Sequence, residues 1–269
     1  MRDWEKAVTE LRSRLTKDEA DIAAIQYKLS VVKFPDAALN AAVRGAVGVP
    51  TGDIHQSDLL KVTTFIANGL GIVDLTGMEY WTSLTVLDLS DNSIVDLTPL
   101  AGLVNLTVLF LLINSIVDVS PLAGLVNLTT LALIANSIVD VSSLVGTMAS
   151  GGKIYFDNNP LDVAAYHTDI PAIQATGVIV SFDAEPTPAA IAISPTGGTT
   201  AGGDAVDITG TGFLSGCTAT IGGNPCTSVV FVSSTHLTAV TPAGLAGARD
   251  VVVTNDVNLG TLAGGFTYS

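Results

Sequence analysis

The sequence predicts a multidomain chain: an N-terminal α-helical segment, a repeat solenoid with a parallel sheet, and a C-terminal all-β sandwich. Three observations carry this. Charge is concentrated at one end, with only four of the eleven basic residues beyond Lys33 against nineteen of the twenty-five acidic ones. A hydrophobic pattern with a 22-residue period follows. Beyond a Pro-containing stretch, short apolar runs alternate with Gly, Pro, Asn and Ser turns, the signature of an all-β module.

Composition narrows the function before any motif is read. With 269 residues, the chain has room for about two domains of ordinary size. A net charge of −14 repels phosphate backbones and argues against a nucleic-acid partner. Three scattered His and two Cys build no multi-ligand metal site, and no cofactor motif is present. No run of about 18 apolar residues occurs, so no membrane insertion is expected.

Residues 1–33 read as an amphipathic heptad helix. Trp4, Val8, Leu11, Leu15, Ile22, Ile25, Leu29 and Val32 fall on alternating a and d positions, with Asp18 at the polar core site. The flanks are charged. Thr16-Lys-Asp-Glu19 also reads as a capping box, which would break the stretch into two helices. One narrow apolar stripe does not stabilise an isolated helix, so it needs a second surface. The regular, terminal stripe points to assembly or anchoring, including a homo-oligomer; packing on the chain's own body is the alternative. Interleaved charges and the lack of an apolar core segment exclude a signal peptide.

From about Val62 the chain repeats. Asn92, Asn114 and Asn136 are spaced by 22, and Leu70 holds the same slot one repeat earlier. Phe65, Leu87, Leu109 and Leu131 stand in register, as do Ile72, Ile94, Ile116 and Ile138. SIVDLTPLAGLVNLTV (93–108) and SIVDVSPLAGLVNLTT (115–130) differ at three positions. This LxLxxN pattern defines a leucine-rich repeat solenoid, one short strand and one return limb per repeat. The Asn side chains satisfy turn backbone that the sheet does not reach. Thr98-Pro99 and Ser120-Pro121 read as N-cap followed by helical Pro. Asp74, Asp96, Asp118 and Asp140 form a carboxylate ladder, read as capping the turns two residues on because no second ligand type accompanies them.

The array extends over 34–183, closed by a helical cap beginning Phe34-Pro35-Asp36 and by a C-terminal cap in which the last Asn, Asn159, arrives one residue late. The FPDAAL cap, DLTGMEYWTSLTVLDLSDN, and NPLD followed by IPAIQATGVIVSF resemble bacterial internalin-like leucine-rich repeat proteins over about 34–183. The resemblance implies the fold and a recognition role.

Outward residues of the sheet alternate with the core leucines. The candidate partner-binding face is therefore Ile66, Val86, Asp88, Val108, Phe110, Leu112, Ala132, Ile134 and Tyr155, with Ile113 adjoining. Its middle is apolar where a solvated face is normally polar, so the expectation is that something covers it. Repeats that have merely drifted, or cover from within the chain, are the alternatives.

Residues 184–188 form a Pro-rich linker. Beyond it lie seven strand-like runs, at 190–193, 204–209, 217–221, 227–232, 236–240, 249–254 and 265–268, the pattern of an immunoglobulin-like sandwich. Within 189–269, ISPTGGTTAGGDAVDITGTGF, IGGNPC, LTAVTP and GGFTY resemble the IPT/TIG domain. Cys217 and Cys226 flank a Gly222-Gly223 hairpin turn. Pairing 221 with 224 sets Cys226 opposite Ala219 and diagonal to Cys217, which leaves both a disulfide and two reduced thiols open.

No GxSxG, HExxH or Walker motif occurs, and nothing brings His55, His167 and His236 together, so no enzyme is expected. The reading is a non-catalytic recognition protein displayed on the exterior of a virion or cell. With Met1 and no signal peptide or membrane anchor, the sequence favours a virion decoration or fibre protein held by its N-terminal helix. The alternative is an internalin-like cell-surface adhesin. In either case the partners expected are proteins, whether a surface scaffold, a capsid or further copies of the chain, with glycans as a second class.

Overall fold

A computed structural model describes residues 3–29 and 31–269. Helix α1 (Asp3–Leu29) runs unbroken for 27 residues, about 40 Å at helical rise. The break expected at Thr16 is absent. Its hydroxyl donates back to Arg12 O (3.1 Å) and Ser13 O (2.9 Å), the bonding of a mid-helix threonine rather than of a cap. The heptad also ends earlier than its spacing suggests: Val32 lies in strand β1 (Val31–Val32) and is buried in the solenoid core.

Strand β1 pairs antiparallel with β2 (Ile54–His55), and helix α2 (Ala37–Val47) lies between them, with the short α3 (Gln56–Leu59) after β2. Asp36 caps α2 by accepting from Ala38 N (2.9 Å) and Leu39 N (3.0 Å) through Oδ1. Its Oδ2 accepts from Val73 N (2.9 Å) and Asp74 N (3.3 Å), so one carboxylate fastens the cap to the first repeat. Burial opposes its ionisation, but the four backbone N–H donors outweigh that and hold its pKa below the ordinary value. Gly48, at φ 72°, closes the helix with its N–H on Arg44 O. Trp81 seals the junction from the repeat side, buried, donating to Val62 O (3.0 Å) and stacked on Phe65 at 4.7 Å.

Six strands form one parallel sheet in chain order: β3 (Thr64–Ile66), β4 (Val86–Asp88), β5 (Val108–Phe110), β6 (Thr130–Ala132), β7 (Lys153–Tyr155), and β8 (Ile179–Ser181), which follows helix α4 (Ile170–Ala175). Phe65, Leu87, Leu109, Leu131 and Ile154 pair in one row, all pointing into the core. Return limbs carry single 3-10 turns at Thr98–Leu100, Ser120–Leu122 and Ser142–Leu144. The cap of each turn is the preceding aspartate rather than Thr98 or Ser120. Asp96 Oδ1 accepts from Thr98 N (2.8 Å), Asp118 Oδ1 from Ser120 N (2.8 Å) and Asp140 Oδ1 from Ser142 N (2.7 Å). Thr98 and Ser120 donate here and do not cap.

The asparagine ladder is satisfied within the backbone. Asn114 Oδ1 accepts from Ile94 N (3.0 Å), while Nδ2 donates to Leu89 O (3.1 Å) and Leu111 O (3.2 Å), tying adjacent repeats. Asn92, Asn136 and Asn159 repeat the arrangement. Each amide, buried at Asn136 and half-buried at the other three, supplies hydrogen bonds that the sheet does not supply at the turn.

The C-terminal module is two facing antiparallel sheets built from β9 (Ala189–Ser194), β10 (Gly197–Gly198), β11 (Ala205–Thr211), β12 (Thr218–Ile221), β13 (Asn224–Pro225), β14 (Thr227–Ser233), β15 (His236–Val240), β16 (Gly247–Asn255) and β17 (Asn258–Tyr268). One sheet runs β14-β15-β11-β9 and the other β10-β17-β16-β12-β13; the one parallel pair is β10 with β17. Its core, including Ile208, Phe213, Ile221, Leu237, Val253 and Phe266, is separate from that of the solenoid. Strand β17 extends back through 258–264, which carried no strand signal because Gly260 and Gly264 break the apolar run.

Candidate partner-binding face

Register decides which outward side chains meet. Asp88, Phe110, Ala132 and Tyr155 are direct neighbours across β4 to β7, and Val86, Val108 and Thr130 form a parallel row beside them. Leu112 and Ile134 follow just past their strands. A shallow depression of about 420 Å³ results, lined by Asp88, Ser90, Phe110, Leu112, Thr130, Ala132, Ile134 and Tyr155. Its floor is Ala132, which is buried and not presented to solvent. Asp88 is the polar group at one side. Its Oδ1 is committed to Ser90 N at 3.0 Å, so the carboxylate is held in place. Beyond the depression, two residues past Tyr155, Asp157 Oδ1 accepts from Ser181 Oγ at 3.1 Å.

The remaining face residues lie around this depression. Val86 and Val108 are half-buried along one margin. Ile66, two strands from Phe110, is 62% exposed, and Ile113 is 56% exposed. Ile113 also sits at φ 52°, in the left-handed region. Equivalent turns use Asp91 (φ 56°), Ala135 (φ 55°) and Asn158 (φ 59°) there. Asp and Asn enter this region readily, whereas a β-branched side chain is an outlier in it. An isoleucine that is both strained and exposed has no folding rationale and fits a contact role.

Four of the N-terminal candidates are exposed and stay out of the body. Val8, Leu11, Leu15 and Ile22 are 39, 62, 60 and 55% exposed, and among the described residues no side chain of α1 belongs to either core. The side chains of Trp4, Ile25 and Leu29 lie outside the described residues.

The three histidines are far apart in the fold: His55 precedes α3, His236 meets Asp207 Oδ1 at 2.8 Å, and His167 lies at the solenoid–sandwich junction. Both cysteines are free. Cys226 N does donate to Ala219 O (2.9 Å), the register expected, and burial raises both thiols, Cys226 to about 11. Among the described residues no group of three or more His, Cys, Asp or Glu could hold a metal ion, and no helix is long and apolar enough to cross a membrane.

The junction itself was not visible in sequence. Asn255, fully buried, donates to Pro186 O (3.0 Å) and Gly212 O (2.9 Å). Asn258 donates to Glu185 Oε2 (2.6 Å), and Val163 N to Ser215 O (3.1 Å). His167 stands between Glu185 (3.2 Å) and Asp256 (3.3 Å). The Pro-rich stretch is thus strapped to both modules rather than free. These partners are some 20 to 90 residues apart and share no motif, so only the folded chain brings them together.

Residues 188–268 match the family profile of the IPT/TIG domain. Over 95 residues, 35% of this chain, the sequence is 36% identical to fibrocystin-L of Mus musculus. Over 63 residues, 23% of the chain, it is 40% identical to internalin H of Listeria monocytogenes. The matches span 2% and 12% of those relatives' lengths. Among solved structures, an internalin (inlF) from Listeria monocytogenes is similar with 26% identity and a TM-score of 0.47, over 56% of this chain and 52% of that one. Residues 188–268 form an IPT/TIG domain, and a 63-residue stretch of the chain is similar in sequence to an internalin.

Proposed function

We propose that this chain is a non-catalytic surface-recognition protein of the adhesin type, which binds a protein partner on the concave sheet of its repeats. The observation that supports this most is the apolar centre of that sheet, where Phe110, Leu112 and Ile134 surround a depression with the fixed carboxylate of Asp88 at its margin. Aromatic and aliphatic anchors inside a polar rim are the anatomy of a binding hot spot. The internalin likeness and the IPT/TIG domain favour an exterior, adhesive setting. No relative reported above supports the virion reading, and it is not carried forward. Protein rather than glycan fits the face, because sugar sites need more free polar groups than this centre offers.

The test is adherence of the fluorescently labelled full chain to a panel of intact cells, before and after protease or glycosidase treatment. Protease-sensitive binding that is lost in the double variant Phe110→Asp/Leu112→Asp, with thermal unfolding unchanged, is the expected result. Binding removed by glycosidase alone, or equal binding by the double variant, contradicts the proposal.

A further inference from the structure

We infer that α1 is the interface of a homodimer, in which two copies of the helix pair antiparallel. This stands apart from the concave-face reading and concerns a different surface.

The stripe formed by Val8, Leu11, Leu15 and Ile22 is exposed on a continuous helix, and among the described residues no side chain of that helix belongs to either core. Period-3.5 spacing calls for a partner helix with the same spacing. A second copy of α1 supplies it, and charge order sets the direction. Arg12, Arg14 and Lys17 form a basic block, and Asp18, Glu19 and Asp21 an acidic one directly after it. Among the described residues none of these six is in an ion pair, and all are exposed. A helix carrying such blocks is complementary to its own reverse.

Heptad geometry makes this specific. With Leu15 at a and Asp18 at d, an antiparallel pairing sets a layers against d layers, with g facing g and e facing e. Leu11 then packs on Ile22 of the second copy. Arg14 (g) reaches the second copy's Asp21, and Arg12 (e) reaches its Glu19, giving four cross-helix pairs by symmetry. Asp18 falls opposite Leu15 and beside the second copy's Arg14. In a parallel pairing Asp18 would face its own counterpart across the core, and only Arg14 with Glu19 would attract. Like charges opposed at a core layer disfavour that arrangement. A polar residue at one core position commonly selects orientation in this way.

Charge reversal in the full chain separates the outcomes, read by analytical ultracentrifugation over a concentration series. Wild type is expected as a dimer of the 27.5 kDa chain. Arg14→Glu replaces two attractive contacts with repulsive ones and should weaken the dimer by about ten- to thirtyfold. Arg14→Glu/Asp21→Lys restores it in the antiparallel arrangement, whereas Arg14→Glu/Glu19→Lys restores it only in a parallel one. Thermal unfolding of each variant controls for the fold. A monomer at every concentration, a dimer indifferent to Arg14→Glu, a higher oligomer, or rescue by the Glu19 partner instead of Asp21 overturns the inference. None of these results depends on whether the concave face binds a cell.

Discussion

Ile113 occupies a turn position that aspartate, alanine and asparagine hold in the equivalent turns at Asp91, Ala135 and Asn158, and the comparison yields a test at the level of one side chain. Ile113→Asn relieves left-handed strain on a β-branched residue and should raise stability in urea by about 1 kcal/mol. If the residue serves recognition, the same variant binds its partner less well; undiminished binding would show that Ile113 is ordinary drift. Asn114 poses the opposite case. Its amide joins two repeats, so Asn114→Ala strands buried backbone groups and should cost about 2–3 kcal/mol in urea unfolding. Asp36 adds a pH signature. Its folded pKa is depressed, so its contribution is present above its unfolded value of 3.8 and is lost as pH falls through the lower folded value. The stability gap between wild type and Asp36→Ala should hold from neutral pH to about 4 and close below it. A gap that persists at pH 2 would mean the capping bonds do not need the charge.

At the level of elements, α1 and the repeats make contrasting predictions. Removing residues 1–30 takes away no described core side chain, so the melting temperature of the remainder should change by less than about 2 °C. A larger fall, seen by scanning calorimetry, would show that the helix packs on the body after all. The elements were legible to different degrees, for physical reasons. The repeats declared themselves because period and side-chain type coincide at Leu87, Leu109 and Leu131, and the aspartate ladder could be read as capping. Thr16 misled because a Thr followed by Glu three residues on is locally a cap, and only the uninterrupted stripe around it keeps the helix going. Val32 misled because heptad spacing continues past the helix into a strand that happens to place it in step. The outward face was legible by alternation alone, but its depression was not: that needs the register that sets Phe110 beside Ala132, whose small side chain leaves the space.

For the whole molecule, the junction fixes how the two modules present themselves. Asn255 and the Glu185–His167–Asp256 cluster hold the linker against both, although neither module's pattern contains a sign of it. The central claim is that the concave face, and not apolar exposure in general, does the binding. The molecule contains its own control, since Val73, Val95 and Val117 form an exposed valine ladder on the loops after Leu70, Asn92 and Asn114, off the sheet strands. The decisive measurement is the affinity of the full chain for its protein partner on intact cells, compared between Phe110→Asp/Leu112→Asp and Val95→Asp/Val117→Asp. Loss of two central anchors should weaken binding by about a hundredfold or more, while the ladder variant stays within about twofold of wild type, as peripheral surface substitutions do. Equal losses in both variants, or a loss confined to the valine ladder, would contradict the account.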